Sequence, residues 1–422
     1  METGRLVKAL VAAALATTAI SSLGGRASAE GDKVTLRVWS WQQAFEPQWN
    51  EIFDVFEESH PSIEVEFRGI AGTEYDRVLA AGLSEDSGPD VPFVRSYGAL
   101  QGLIAGGSLE PISEDIGLES WPEAIKDGVR SADDGQLYAV PFAMQTIQIF
   151  YNQGLFDEVG LELPTTWEEY MTSCGTFAEN DILPLANGAS SSWTLPMVLH
   201  TLAATRFGGP DFAQSLLSGE TTFEDPAYVD AIGIVQGVFE DCAFDSPGGV
   251  SAGDALTLFS SGEAAMRIGG SWEIAQLEDT GLDFSLFAAP PTPDAVTDHP
   301  LTPGYVDGGL GISSKSEHKD EARELLEWLT TPEFGNLLME NLKQPSVVPE
   351  TETTSPMLQE ALDFYRTNPT PYLELASFGF GSPDAVTLLS EGLQGVILGT
   401  QSPEGAAASV QKGIEQWFQP ET

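Results

Sequence analysis

Only two cysteines, Cys174 and Cys242, and four histidines occur in 422 residues. That scarcity excludes cysteine-rich scaffolds and Cys/His zinc frameworks, whose ligands recur in spaced pairs. His60, His200, His299 and His318 stand far apart, and each reads as a surface or loop side chain. Basic residues are scarce too: 18 Lys and Arg face 64 Asp and Glu, a formal charge of −46. A surface of that sign repels nucleic acid and anionic membranes. The acids are spread along the whole chain, which suits saline surroundings, where self-repulsion is screened, better than a local trap for cations. No GxSxG, HExxH, P-loop or strand-linked GxGxxG is present, which removes the common hydrolase, zinc-protease and nucleotide signatures. No internal repeat is visible, and no carboxylate pair is singled out as a glycosidase dyad.

Long apolar runs are equally rare. The one candidate, "ALVAAALATTAISSLGG", is short for a membrane span and is interrupted by Thr, Ser and Gly. Arg5 and Lys8 precede it, and "RASAE" places Ala27 and Ala29 as the small residues of a cleavage site, so residues 1–29 read as a secretory signal cut after Ala29. No Cys stands at that point to carry a lipid. Without the leader, 15 basic residues face 63 acidic ones. In an exported chain two cysteines are most simply one disulfide. Both fall in helical patterns, "TTWEEYMTSCGTFAE" and "YVDAIGIVQGVFEDC", so the bridge would staple two helices of one domain; the alternative is two buried thiols.

What is present is an alternation of strand and helix. "KVTLRVWSW" reads as a strand. "FEPQWNEIFDVFEESHP" reads as a helix with Trp49, Phe53 and Phe56 at helical spacing, ended by Pro61. "IEVEFRGI" is a second strand, followed by a helix with Thr73 as its cap. This order implies an α/β domain with a mainly parallel sheet, whose ligands sit beyond the carboxyl ends of the strands. From Leu137 to Tyr151 an extended run broken at Pro141 is too long for one ordinary strand and can cross between domains. Helices are then expected over 166–179, 193–207, 210–218, 226–242 and 252–261. The proline-rich segment 288–304 marks a second crossing, "GGLGISS" a buried strand, and "QPSVVPE" a third crossing.

In "SSGEAAMRIGGSW", Ser261 and Gly262 look like a helix start, and Gly269 and Gly270 demand a turn or a close backbone approach just before Trp272. Aromatic residues collect where loops should converge: Trp39 and Trp41 after the first strand, then Trp193, Trp272 and Tyr305. Flat rings of this kind stack on sugar C–H faces while neighbouring polar groups take the hydroxyls. By strand alternation Trp39 is assigned to the core; the glycines before Trp272 assign it to a site.

Six segments in order, "VTLRVWSW", "GPDVPFVRSYGALQGLIAGGSLEPIS", "GQLYAVPFAMQTIQIFYNQGLFDEVGLELPTTWEEY", "FSSGEAAMRIGGSW", "GGLGISSKSEHKDEARELLEWLTTPEFG" and "LLSEGLQGVILGTQSPEGAAASVQKGIEQWF", make the chain similar to family 1 of the extracellular solute-binding proteins of ABC importers, the group of maltose- and oligosaccharide-binding proteins. The resemblance implies a two-lobe periplasmic-binding-protein fold of type II, each lobe an α/β sheet flanked by helices. A first lobe of 30–140 plus 306–345 and a second of 141–305 plus 346–422 would be joined by a hinge of three crossings. The implied protein is a periplasmic, monomeric, non-catalytic and cofactor-free binder of a sugar or oligosaccharide, which it delivers to a membrane permease. The helix–strand–turn "SSGEAAMRIGGSW" would pack Ala264, Ala265 and Met266 on its helix and aim Trp272 into the cleft. The candidate ligand-contacting set is Trp41, Gln42, Tyr75, Arg95, Ser96, Gln145, Trp193, Trp272, Tyr305, Asp307 and Gly308. Where many relatives carry an acid after "PDV", this chain has Arg95 with Ser96, which suits a ligand bearing an acidic group. Two rival functions stay open: a secreted glycoside hydrolase, and a binder of polyamines or other cations caged by Trp and carboxylates.

Overall fold

The computed structural model describes residues 33–420; the leader expected over 1–29 lies outside the described residues. Nine strands are formed: β1 (Val34–Ser40), β2 (Ile63–Gly69), β3 (Val91–Arg95), β4 (Val140–Asn152), β5 (Leu183–Leu185), β6 (Ala264–Gly270), β7 (Phe284–Phe287), β8 (Thr302–Leu310) and β9 (Pro369–Pro371). They join in the order β2-β1-β3-β8-β4-β6-β5, with β7 on β4 and β9 on β8. The pairs β1–β2, β1–β3, β5–β6 and β8–β9 are parallel, and every pairing that β4 makes is antiparallel. The sheet is therefore mixed, because β4 and β8 run through it in opposite directions.

Those two strands tie two hydrophobic cores together. The first half of β4 pairs with β8, and its second half with β6 and β7. One core gathers Leu36, Val38, Trp49, Phe93, Phe142, Leu310, Leu326 and Val348. The other gathers Ile147, Ile149, Phe177, Leu199, Val235, Ile268, Tyr372 and Leu389. In the helix Glu46–Ser59 the buried set Trp49, Ile52, Phe53 and Phe56 forms a stripe of three- and four-residue steps, and each buried Phe contributes roughly 1.5–3 kcal/mol.

Helices form at Trp167–Glu179, Leu195–Phe207, Pro210–Ser218, Pro226–Cys242 and Ala252–Ser260, close to the expected bounds. The first carries a capping box between Thr166 and Glu169. Cys174 and Cys242 are bonded, with Cα atoms 5.2 Å apart, stapling two helices of the second core.

Four local expectations need correction. Thr73 is no cap: the helix Gly72–Gly82 begins after Ala71, with no side-chain cap. The strand expected in "GGLGISS" begins earlier, inside the proline-rich segment, and ends at Leu310, because Thr302–Gly304 find partners in β9. Ser261 and Gly262 close a helix rather than open one, with Gly262 at φ 82°. Ala264, Ala265 and Met266 then lie on β6, fully buried, and not on the helix.

Candidate functional site

The carboxyl ends of β1 and β3 deliver Trp41 and Arg95 to one edge of the first lobe, and β8 runs beside them with Gly308 in register with Arg95. On β4, Gln145 is in register with Tyr305. The segment after the helix Pro332–Leu342 brings Gln344 to the same place. Gln145 is the junction: its Nε2 donates to Asp307 Oδ2 at 3.2 Å and to Gln344 Oε1 at 3.3 Å, and its Oε1 accepts from Ser271 Oγ at 2.6 Å. Gln344 Oε1 also accepts from Gln42 Nε2 at 3.3 Å, and Gln42 Oε1 from Trp49 Nε1 at 2.7 Å. All three chain passages between the cores thus meet in one polar cluster, anchored by Gln42 on one side and Ser271 on the other. Gln344 is fully buried, yet its Nε2 finds no acceptor among the described residues. That leaves a buried donor unpaired beside the cluster, and an unmade hydrogen bond there is costly. Burial raises the Asp307 carboxyl pKa; the Gln145 hydrogen bond and the Arg95 charge offset only part of that rise.

Several expected contacts prove to be internal. Tyr75 is fully buried, its hydroxyl within 2.8 Å of the Trp39 carbonyl and 2.6 Å of the Phe93 carbonyl, so it holds β1 to β3 and does not reach a ligand. Burial lifts its phenol well above the ordinary range. Ser96 is buried and donates to the Val306 carbonyl at 2.6 Å, pinning the loop after β3 to β8. Gln42 is buried and has both amide ends engaged. Trp41 is no open platform: the Arg95 guanidinium lies over it at 4.5 Å from the ring centre, and Tyr75 and Phe93 meet the ring edgewise at 5.7 Å. Trp39 packs against the first core, with Arg68 over its ring. His200 is buried and not a surface residue, its Nε2 2.6 Å from Glu374 Oε2.

The second lobe supplies one exposed ring and others that are partly buried. Trp193 is 50% exposed, and its ring centre lies 6.5 Å from that of the partly buried Trp272. The two glycines have a physical reason. A Cβ on Gly270 would lie 1.9 Å from Trp272 Cζ3, and one on Gly269 would lie 2.2 Å from Glu273 Oε2. Glu273 is thereby free to grip Arg267 with two 2.7 Å contacts. Tyr305 is partly buried and meets Tyr372 edgewise at 5.8 Å. Where the lobes touch, a Cβ on Gly98 would lie 1.5 Å from the Gly379 carbonyl oxygen, and Tyr97 meets Phe380 edge-on at 6.2 Å.

The structure therefore joins Gln145, Asp307, Gln42, Gln344 and Ser271 in one cluster that sequence reasoning missed in part, with Arg95 in register with Gly308 beside Asp307, Trp272 next in the chain to Ser271, and Trp193 beside Trp272. Gln344 and Ser271 carried no signal beyond their neighbours, Pro345 and Trp272. Two surface hollows of about 610 and 630 Å³ flank Asn368 on the second lobe and share no residue with the cluster. Among the described residues no group of His, Cys, Asp and Glu could hold a metal ion, and no helix is long and apolar enough to cross a membrane.

A family model described as bacterial extracellular solute-binding protein matches residues 40–335. An uncharacterised ABC transporter extracellular-binding protein of Pyrococcus horikoshii is 26% identical over 77% of this chain and 77% of its own length. A mannitol-binding protein of Pseudomonas aeruginosa is 27% identical over 71% and 70%. Among solved structures, a chitin oligosaccharide binding protein superposes with a TM-score of 0.75 at 21% identity, over 92% of this chain and 99% of that one.

Proposed function

Because the chain belongs to the family of bacterial extracellular solute-binding proteins, we propose that it binds a sugar or oligosaccharide between its lobes and delivers it to the membrane permease of an ABC importer. In this reading residues 30–140 and 306–345 form one lobe, and 141–305 and 346–422 the other, with Phe142 and Val348, at the crossings, packing back on the first core. The leader 1–29 exports the chain to the periplasm, where it works as a monomer. The observation that carries the reading is the polar cluster of Gln145, Asp307 and Gln344, set where all three inter-lobe passages meet and joined through Ser271 to the segment that carries Trp272, beside which lies Trp193. Amide and carboxyl groups take hydroxyl hydrogen bonds. Each ring face adds roughly 0.5–1.5 kcal/mol of stacking. The names of the mannitol-binding relative and the chitin oligosaccharide neighbour point the same way.

Closure would couple binding to transport, since a ligand shifts an open–closed equilibrium only by its differential affinity for the two states. Ligand groups lodged among the three passages touch both lobes at once and so favour the closed form. Hydrolysis is disfavoured: among the described residues Asp307 is the carboxylate that the cluster's hydrogen bonds engage, and Glu273 is spent on Arg267. The cationic-solute reading is disfavoured by Arg95 at the cleft edge. Calorimetric titration of the exported chain with neutral sugars, polyols, uronic acids and polyamines tests the proposal. Saturable binding of a sugar or polyol, acidic or neutral, with the ligand recovered intact supports it; binding confined to polyamines, or release of new reducing ends, overturns it.

A further inference from the structure

Two arginines lie near the cleft, and they are treated differently. Arg267 is saturated: Nε and Nη2 each meet Glu273 at 2.7 Å, and Nη1 donates to the Ala186 carbonyl at 3.0 Å. Arg95 is not. Its Nε reaches Asp76 Oδ1 only at 3.3 Å, its Nη2 reaches the Gly72 carbonyl at 3.5 Å, and its Nη1 makes no hydrogen bond within the described chain. Charge-assisted contacts of a guanidinium settle near 2.7–2.9 Å when they are well made, so both contacts are loose. Asp76 is 69% exposed, which leaves it well hydrated and a weak partner.

The position of this under-used group is fixed. Arg95 ends β3 in register with Gly308, one residue from Asp307, and its guanidinium is seated on the Trp41 face at 4.5 Å. Stacking on an indole holds the cation in place and costs it little of its donor capacity, because the N–H groups lie in its own plane. The ring that would otherwise stack on a sugar from the first lobe is thus given over to presenting a cation. In a chain carrying −46 formal charge, an anionic ligand gains nothing from the overall field and needs a dedicated local cation.

We propose that Arg95 reads a carboxylate on the ligand, so that the saccharide taken by the cleft carries a uronic acid, its carboxylate received by the free edge of the guanidinium on Trp41. The inference rests on the saccharide reading above and narrows it. A planar carboxylate matches two parallel N–H groups of the fork, a match that neither a hydroxyl nor the point charge of a lysine provides.

The test titrates the full chain with galacturonate, glucuronate and digalacturonate, with their methyl esters, and with the neutral parent sugars, and repeats each titration on Arg95→Gln and Arg95→Lys. The expected result is that at least one acid binds about tenfold or more tighter than its ester, that Arg95→Gln lowers the acid's affinity about tenfold or more beyond any loss for the ester and so removes this preference, and that Arg95→Lys keeps it only in part. Far-ultraviolet melts of both variants report whether folding is kept. If the chain binds neutral sugars but no acid better than its ester, or if Arg95→Gln weakens acid and ester alike, Arg95 is a hydroxyl donor and the inference falls while the saccharide reading stands. If no saccharide or polyol in the set binds, both fall.

Discussion

The two walls of the cleft are built on opposite plans. On the first-lobe wall, polar groups are spent inward: the hydroxyls of Tyr75 and Ser96 hold strands together, and the one aromatic face at the edge, Trp41, is covered by Arg95. In the second lobe the charges are internalised, and Trp193 is left open beside a partly buried Trp272. Arg267 closes on Glu273, and Glu374 is buried with His200 and Tyr228, while Trp193 and Trp272 keep exposed surface. In the proposed site one lobe would offer a cation and the other aromatic faces, with the amide cluster of the three passages between them. An arginine or a tryptophan therefore has no fixed meaning at such a site. What counts is whether its partners are already supplied by the chain.

The sharpest way to break this contrast is to open the internalised charges of the second wall. Burial by itself would raise the Glu374 carboxyl, but the attraction and hydrogen bond of His200, with the bond from Tyr228, outweigh it and hold it below the usual range. Glu374→Ala leaves His200 buried without its partner and should cost about 3–5 kcal/mol in urea unfolding. Because the folded-state pKa is depressed, the stability that Glu374 contributes is full above the ordinary carboxylate pKa and is lost as pH falls through the lower folded value. The gap between wild type and Glu374→Gln should therefore narrow on acidification; a gap that widens there contradicts the assignment.

A second change separates the walls. Gly98 belongs to the first lobe and Gly379 to the second, with backbone against backbone. Gly98→Val cannot keep that contact and should hold the lobes apart. The expected outcome is ligand affinity lower by about tenfold or more, a near-native melting temperature, and an apo scattering profile more extended than that of the wild type. A smaller effect of opposite sign is expected at Asp307. Its raised pKa means that its charge costs stability once pH exceeds the folded value, and that this cost vanishes below the ordinary carboxylate pKa, where both states are protonated. Asp307→Asn should raise the apo melting temperature at neutral pH and leave it unchanged near pH ~3; a loss at neutral pH would mean that the carboxylate is paired.

Much of the frame was legible because its signals are local. The five second-lobe helices follow from apolar periodicity and from stops such as Gly208 and Gly219, both at positive φ. Pro141 within an overlong extended run marked β4 as a passage, and two cysteines on exported helices sufficed for the Cys174–Cys242 bond. What stayed hidden was decided by neighbours distant in sequence. Nothing next to Tyr75 says that Phe93 will take its hydroxyl, nothing next to Trp41 says that Arg95 will cover it, and Glu374 lies 174 residues from the His200 it buries. Gln344 escaped for the same reason, since its partners Gln42 and Gln145 lie 302 and 199 residues away in sequence. The close approach at Gly269 and Gly270 was legible because the side chains that pack on them, Glu273 and Trp272, are adjacent in sequence.

The central claim, that the second-lobe rings are a binding wall and not core, is tested most directly by measuring apo melting temperature and calorimetric saccharide affinity together on Trp272→Ala. A core tryptophan cut to alanine costs about 3–5 kcal/mol of stability; Trp272, partly exposed beside Trp193, should cost much less. Affinity should instead fall about tenfold for each 1.4 kcal/mol of ring contact removed. A small drop in melting temperature with a large loss of affinity is the predicted result, and a large drop in apo stability with affinity unchanged would contradict it.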